Sequence, residues 1–243
     1  CASPMHQAAL TGDVEKLRQA FNAHEPLNQV RGDAPIHLAA VNGHLEATKF
    51  LAQAGADINQ RNAKGNTAIA LAADRQHWHV VSYLASRNAN VDIALDTGDT
   101  PIILAIWRDK RDVATAMIAL SKNLNYVSPK GLSALSAALE FSSAEILEQL
   151  IRSGADVEKG TGPYNNPPLY QAAILDKAIF IDVLLKHGAR INAKNSQGST
   201  ALQIAADKNK RNAFSKLLDL GANIHTKSND GATSLHSAAR TNN

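Results

Sequence analysis

Histidine is among the commonest metal ligands, and the run His77-Trp78-His79 is the densest candidate in this chain. Two histidines at positions i and i+2 of a helix point to different sides, and no cysteine or carboxylate cluster joins them to complete a ligand set. The sequence therefore predicts no metal site, and we expect no cofactor.

Signatures of catalysis are missing from the sequence. The phosphate-binding pattern Gly-x-x-x-x-Gly-Lys-Ser/Thr does not occur, and Gly160-Thr161-Gly162 lacks the preceding strand and third glycine of a dinucleotide fingerprint. No Gly-x-Ser-x-Gly elbow occurs either. The single cysteine, Cys1, is terminal and has no ordered neighbourhood that would activate its thiol. We expect a chain that is not an enzyme.

Two basic clusters could contact phosphate groups, Arg108-Asp109-Lys110-Arg111-Asp112 and Lys208-Asn209-Lys210-Arg211. The first is interleaved with acids, and neither is flanked by aromatic residues on which bases could stack. Overall, 25 basic residues oppose 22 acidic ones, which gives a formal net charge of +3. So small an excess provides no broad basic face. We expect solvated turns here and no nucleic-acid partner.

A phrase that recurs about every 33 residues must position these groups. A fixed period of this length predicts stacked supersecondary units, each in contact with its neighbours only. The first position of the phrase falls at Ser3, Ala34, Thr67, Thr100, Ser133, Pro167, Thr200 and Thr233.

The second repeat reads Gly32-Asp33-Ala34-Pro35-Ile36-His37-Leu38-Ala39-Ala40, then Asn42-Gly43-His44, then Gly55-Ala56-Asp57-Ile58-Asn59. These phrases resemble the ankyrin repeat family, and the resemblance extends over essentially all 243 residues. It implies an all-α solenoid of helix–turn–helix units with a finger after each, about seven repeats plus a partial eighth.

The resemblance also implies one ankyrin repeat domain over residues 1–243, with repeats beginning near 1, 29, 62, 95, 128, 162, 195 and 228. Cys1 enters in the middle of a unit, and the chain stops after one helix of the eighth. We therefore expect a fragment of a longer protein.

Local chemistry agrees with these units. Ser3-Pro4 and Thr100-Pro101 predict helix entries, because proline at the first helical position loses no hydrogen bond and the preceding hydroxyl can cap. Four glycines are placed to end second helices in the left-handed region: Gly55, Gly154, Gly188 and Gly221. The fourth unit has Ser121-Lys122 there instead, and we expect an irregular helix end.

Other positions follow the family pattern less closely. The resemblance implies that His6, His37 and His236 form hydrogen bonds between neighbouring units. Glycine separates the two helices of a unit at Gly12 and Gly43 only. Later units have other residues at this position, of which Asp and Asn tolerate the left-handed region: Gln76, Asp109, Ser142, Asp176 and Asn209.

The residues that end the first helices and face the concave groove are usually polar in this family, but several are apolar here. An exposed apolar patch rimmed by charge marks a contact site, and Trp, Tyr and Arg dominate binding energies. The alternative is that these side chains fold down to fill gaps beside small neighbours such as Ala105 or Ala138. The predicted partner-binding residues are Trp107, Arg108, Glu140, Phe141, Ile174 and Leu175, with Tyr164 from the finger.

We therefore expect a scaffold that binds another protein through its concave face and fingers. The alternative is a substrate-targeting module of a larger enzyme or effector whose catalytic part lies outside this chain. One cysteine permits no internal disulfide, and together with the family resemblance this favours the reducing environment of the cytoplasm. We also expect the chain to be a monomer. We expect no membrane insertion, because no apolar run approaches the roughly 20 residues of a membrane span.

Overall fold

The computed structural model describes residues 3–28 and 32–241, which form fifteen short α-helices and no β-strand. The predicted all-α fold is confirmed. The helices are α1 Pro4–Thr11, α2 Val14–Asn22, α3 Pro35–Val41, α4 Leu45–Gln53, α5 Ala68–Asp74, α6 Trp78–Ser86, α7 Pro101–Trp107, α8 Arg111–Leu120, α9 Ala134–Phe141, α10 Ala144–Arg152, α11 Pro168–Ile174, α12 Ala178–Lys186, α13 Ala201–Asp207, α14 Arg211–Asp219 and α15 Ser234–Arg240.

The helices alternate between two roles. Odd-numbered helices begin at the recurring phrase and are called first helices; even-numbered helices follow after a short turn and are called second helices. Within each unit, first helices pack on their own second helices and on neighbouring first helices, as α3 packs on α4, α1 and α5. Among the helices described, none is long and apolar enough to cross a membrane.

The chain divides into two compact units, residues 1–123 and residues 124–243. The first unit contains α1 to α8, and the second contains α9 to α15. The extent of a single domain over residues 1–243 stays a prediction.

Both units have the same kind of core. Alanine pairs in the first helices, such as Ala72-Ala73 and Ala172-Ala173, are buried and allow close helix approach. Leucines of the second helices cover them, and Leu84 and Leu184 are fully buried. Burial of such a side chain contributes about 1.5–3 kcal/mol.

The predicted helix entries and ends are confirmed. Ser3 and Thr100 accept hydrogen bonds from the amides of the third helical residues, and proline follows each of them. The four predicted helix-ending glycines have φ from 89° to 107°. Helix α8 ends at Leu120, and no left-handed residue follows it, because Ser121 is extended with φ −67° and ψ 140°. Asp92 holds this irregular end by accepting from the Ser121 hydroxyl and, at 2.7 Å, from Lys122 N.

The turn between the two helices of a repeat also contacts the next repeat. Gly43 has φ 74°, and a Cβ there would lie 2.6 Å from His77 Nδ1. The His77 ring fills this space and donates from Nε2 to Val41 O at 3.1 Å. Gly12 and His44 form the same arrangement one repeat earlier.

The residues that replace glycine at this turn mostly keep its conformation. The φ values of Gln76, Asp109, Asp176 and Asn209 lie between 52° and 63°. Ser142 differs, with φ −127°. There the extended pair Ser142-Ser143 leads directly into α10, which the Ser143 hydroxyl caps.

Candidate functional site

Several histidines of the described residues donate to backbone carbonyl groups. His6 Nε2 donates to Asp33 O of the next repeat at 3.1 Å, which confirms its implied role between repeats, whereas His37 Nε2 donates at 2.8 Å to Gln60 O, which lies within the predicted second repeat. His236 bonds the Thr233 hydroxyl of its own repeat at 2.7 Å. His79 Nε2 donates to Gly43 O at 3.0 Å. Within residues 3–28 and 32–241, no three His, Cys, Asp or Glu side chains could together hold a metal ion.

The predicted partner-binding residues occupy equivalent places in their repeats. Five of them lie at or just after the last residue of a first helix, Glu140 is the penultimate residue of α9, and Tyr164 lies in a finger. Trp107 and Phe141 each keep 38% of their surface exposed, and Tyr164 keeps 49%. Ile174 and Leu175 are half-buried. The aromatic side chains of Trp107 and Phe141 are therefore not fully buried in the core.

In the first unit, Trp107 is flanked by its own neighbour. The guanidinium carbon of Arg108 lies 6.0 Å from the centre of the Trp107 ring, at the edge of the range for a cation–π contact. Both side chains are exposed. This geometry presents a flat aromatic surface with a positive charge beside it.

Sequence reasoning missed an apolar row in the same unit. Leu38, Leu71 and Leu104 each follow the histidine position of the recurring phrase, and they lie on α3, α5 and α7. The first two are half-buried, whereas Leu104 is 8% exposed. The row could have been predicted from the sequence, because the three leucines occupy the same position of the repeat at intervals of 33 residues.

In the second unit, the long finger is fixed to the finger after it. Tyr164 O accepts from Ser196 N at 2.8 Å and from Ser196 Oγ at 2.9 Å. Thr161 and Asn166 pair as an isolated antiparallel bridge, which closes the loop that carries the Tyr164 ring. The ring is thus presented on an anchored backbone.

Ile174 contributes to a small groove of about 200 Å³ between first helices and fingers. Gln171 of the same helix and Leu132 and Thr161 of two fingers also line it. The side of the first helices that adjoins the fingers is here called the inner face. Ile174 lies on it, and the repeat register places the other five helix-end residues on it in their own repeats.

A larger groove of about 570 Å³ lies on the inner face of the second unit, along α11, α13 and α15, and sequence reasoning missed it. Its charged lining residues are Asp207, Lys208, Asp230 and Arg240. Asp207 and Lys208 occupy the same helix-end positions as Trp107-Arg108, so the register again contained the signal.

The charges in this groove are paired. Arg240 donates to Asp207 Oδ1, and Lys208 Nζ lies 3.4 Å from Asp207 Oδ2. Burial opposes ionisation of Asp207, but the bond from Arg240 and the charge of Lys208 outweigh it and lower the pKa of the carboxyl. The Ser228 hydroxyl and Ala232 N likewise lower the pKa of Asp230. Both carboxylates are ionised at neutral pH.

The paired helices, their caps and the histidine bonds between repeats together define an ankyrin solenoid. Models described as "Ankyrin repeats (many copies)" and "Ankyrin repeats (3 copies)" match residues 36–85 and 169–243. The chain belongs to the ankyrin repeat family. Domains of this family are generally non-catalytic modules for protein interaction.

Known relatives are similar at the level of the domain. The crystal structure of the ankyrin repeat domain of Bcl-3, described as a unique member of the IkappaB protein family, is 26% identical, with a TM-score of 0.73 over 86% of this chain and 95% of that one. The ankyrin repeat protein FPV031 of Fowlpox virus (strain NVSL) is 30% identical over 40% of this chain and 29% of its own length.

Human Ankyrin repeat and SOCS box protein 11 is 27% identical over 41% of this chain and 30% of its own length. The matched region thus spans less than a third of the length of these curated relatives.

Proposed function

We propose that this chain recognises a partner protein through the inner face of its first helices and its fingers, within the cytoplasm. The contact residues are Trp107 and Arg108 in the first unit, and Glu140, Phe141, Tyr164, Ile174 and Leu175 in the second.

One observation carries the proposal: Trp107 and Phe141, each the last residue of a first helix, keep large aromatic surfaces exposed at positions where the family usually has polar residues. Aromatic side chains supply much contact area and lose little conformational entropy on binding, and they dominate binding energies at protein interfaces. A stiff repeat scaffold also loses little entropy when it docks, which favours affinity without a large area.

The experiment begins with partners identified by cross-linking in cells of the source organism. Each is purified, and its affinity for the chain is measured by calorimetry. We expect Trp107→Ala and Phe141→Ala each to cost about 2 kcal/mol of binding, roughly a 30-fold loss of affinity. The free energy of unfolding should change little.

A matched control uses Ile179→Ala and Leu218→Ala. These two apolar residues are also exposed, but they lie on second helices. They should leave affinity unchanged. Retained binding in the Trp107/Phe141 double variant, or equal losses in the control, would place the contact site elsewhere.

A second candidate is that the domain targets substrates for a larger enzyme or effector. The name of the human relative joins ankyrin repeats to a SOCS box, and this favours the second candidate. The full reading frame of the gene tests it directly, because the candidate requires a further domain in the same protein.

A further inference from the structure

Three leucines form a row across the first unit, with Leu38 on α3, Leu71 on α5 and Leu104 on α7. These helices pack directly on one another in that order. In the second unit, Gln171 and Ile204 occupy the same position of the repeat and line the grooves of the inner face, so the register places the leucine row on the inner face too. Leu38 and Leu71 are only half-buried. The row therefore keeps an apolar surface within reach of a partner.

The spacing of the leucine row fits one kind of partner segment. Packed helices lie about 8–10 Å apart, so the row repeats at about that distance. An α-helix rises about 1.5 Å per residue, so positions seven apart lie about 10.5 Å apart and on nearly the same side. An extended strand covers this distance in about three residues, and side chains three apart point to opposite faces. A helix laid across the row can therefore match it, whereas a strand cannot.

The charges at the helix ends beside the row favour an acidic partner. Arg75 and Arg108 each follow a leucine of the row by four residues, which places them on the same side of the helix as that leucine. Within the described ranges Arg108 forms no ion pair, and its guanidinium lies beside the exposed Trp107 ring. Arg75 has one weak partner, since Asp74 Oδ2 lies 3.8 Å from its Nε and both groups are exposed. Two guanidinium groups thus stand against one carboxylate.

The fingers of the first unit do not change this preference. In the seven residues before each of Ala34, Thr67 and Thr100, the exposed charges that the structure describes are Asp33, Arg61, Lys64 and Asp96. The two carboxylates accept from asparagine amides of neighbouring fingers at 2.7 and 3.0 Å. Because these four charges balance, the positive excess lies at the helix ends.

We propose that the leucine row and Trp107 bind an amphipathic α-helix of the partner protein, and that an acidic residue at the edge of its apolar face pairs with Arg108. The inference rests on the proposed recognition function. Apolar side chains seven residues apart on the partner helix pack on neighbouring leucines of the row, as helical anchors do in a groove. A carboxylate of the partner accepts from the Arg108 guanidinium in a charge-assisted bond. A lysine in its place would be repelled.

The test uses the full chain and needs no known partner. The chain selects binders from a library of random peptides of about 16 residues, which is enough for a helix of about 24 Å. Each selected peptide is synthesised, and its affinity is measured by calorimetry. An alanine scan of the peptide then reports its bound conformation. We expect the sensitive positions to recur at intervals of three, four and seven residues, with a glutamate or aspartate among them.

Variants of the chain locate the contact. Leu71→Gln copies Gln171, the natural residue of this register in the second unit, and Trp107→Ala removes the exposed ring. Each should weaken the peptide about tenfold or more. Arg108→Glu should weaken it about fivefold, and a peptide with lysine in place of its acidic residue should regain affinity for this variant. Arg87→Glu is the matched control, because Arg87 is exposed but follows a second helix, α6. It should leave binding unchanged.

Four results would overturn the inference: no enriched peptide, sensitive positions at every second residue, basic residues where acidic ones are expected, or unaltered binding in Leu71→Gln with an intact fold. If Leu71→Gln does not fold, Trp107→Ala decides in its place. The proposed function fails by a different result, namely retained affinity of a cellular partner for the Trp107/Phe141 double variant. The two failures are thus distinguishable.

Discussion

The two units join neighbouring repeats at the same turn by opposite means. In the first unit, Gly43 leaves out a side chain, and the His77 ring enters the space and donates to Val41 O. In the second unit, Asp176 adds a side chain that reaches the start of α14, where its carboxylate accepts from Ala213 N at 2.8 Å and from Asn212 Nδ2 at 3.0 Å. Glycine is therefore one solution at this turn, and an acidic side chain that caps the next repeat is another.

The inner faces differ in a parallel way. The first unit presents a leucine row that leads to Trp107. The second unit presents Gln171, Ile204 and Ser237 in that register, and the large polar groove lies beside the latter two. The second unit also has thirteen basic and ten acidic residues, whereas the first has twelve of each. One scaffold thus carries an apolar surface in one half and a charged groove in the other.

Substitution of Gly43 should have the largest effect on stability. Gly43→Ala gives a residue with a Cβ a backbone φ of 74°, and this strain costs about 1–2 kcal/mol. The new Cβ also clashes with the His77 ring, and displacement of the ring would break its hydrogen bond to Val41 O, which contributes about 1 kcal/mol. We expect a total loss of about 2–3 kcal/mol in urea unfolding.

The double variant Gly43→Gln/His77→Lys is the control for this contact, because it copies the natural pair Gln76 and Lys110 of the next repeat. It should lose less than Gly43→Gln alone. Equal losses in both backgrounds would mean that the ring contact has no energetic coupling to Gly43.

The second unit should respond in the opposite sense to glycine. Asp176→Gly restores the residue typical of the family but removes an acidic cap from α14. Loss of a cap costs about 0.5–2 kcal/mol of stability. Glycine adopts a φ of 57° without strain, which offsets part of this cost. We therefore expect the free energy of unfolding to fall by about 1 kcal/mol. Asp176→Asn keeps an acceptor and should lose less. A higher free energy of unfolding for Asp176→Gly than for wild type would contradict the stabilising role of Asp176 as a cap of α14.

The smallest effect should come from an ion cluster on the second helices of the second unit. Glu148 Oε1 lies 3.0 Å from Lys186 Nζ, 3.1 Å from His187 Nε2 and 3.0 Å from an Arg152 nitrogen. The bond from Lys186 is the main cause that lowers the pKa of Glu148 from 4.5 to about 2, and the bond from His187 is the next.

Because the folded-state pKa of Glu148 lies below its unfolded value, its contribution is complete above about pH 4.5 and is lost as the pH falls towards 2. Glu148→Gln should therefore be less stable than wild type at pH 7. The difference in free energy of unfolding between the two proteins should become smaller at pH 4 and smaller again at pH 3. Glu46→Gln, which removes a carboxylate that pairs with Lys49 alone in the first unit, should show a smaller gap. A gap for Glu148→Gln that does not change with pH would show that the charge has no role.

The sequence predicted the fold because its signals are repeated and local. The phrase at Thr100-Pro101 fixes a helix entry by itself, and Gly154 or Gly188 fixes a helix end. The sequence also predicted Trp107 and Phe141 as contact residues at the ends of α7 and α9, and this stays a prediction. The extended conformation at Ser142 was not predicted, because serine at this turn position does not by itself indicate that Ser143 will cap α10.

The polar groove was harder to predict for a different reason. It depends on how far side chains reach into the next repeat. Asp207 and Arg240 stand one period apart, and their pairing could have been predicted from that spacing.

The contact between Gly43 and His77 also limits how this chain can gain or lose a repeat by duplication. A copied unit that carries His44 or His77 fits only after a unit whose turn is glycine, such as those with Gly12 or Gly43. Behind Gln76 or Asp176 the ring would meet a Cβ, and the chain has Lys110 and Lys210 at the corresponding places. The repeats are thus not interchangeable modules, because each turn restricts which unit can follow it.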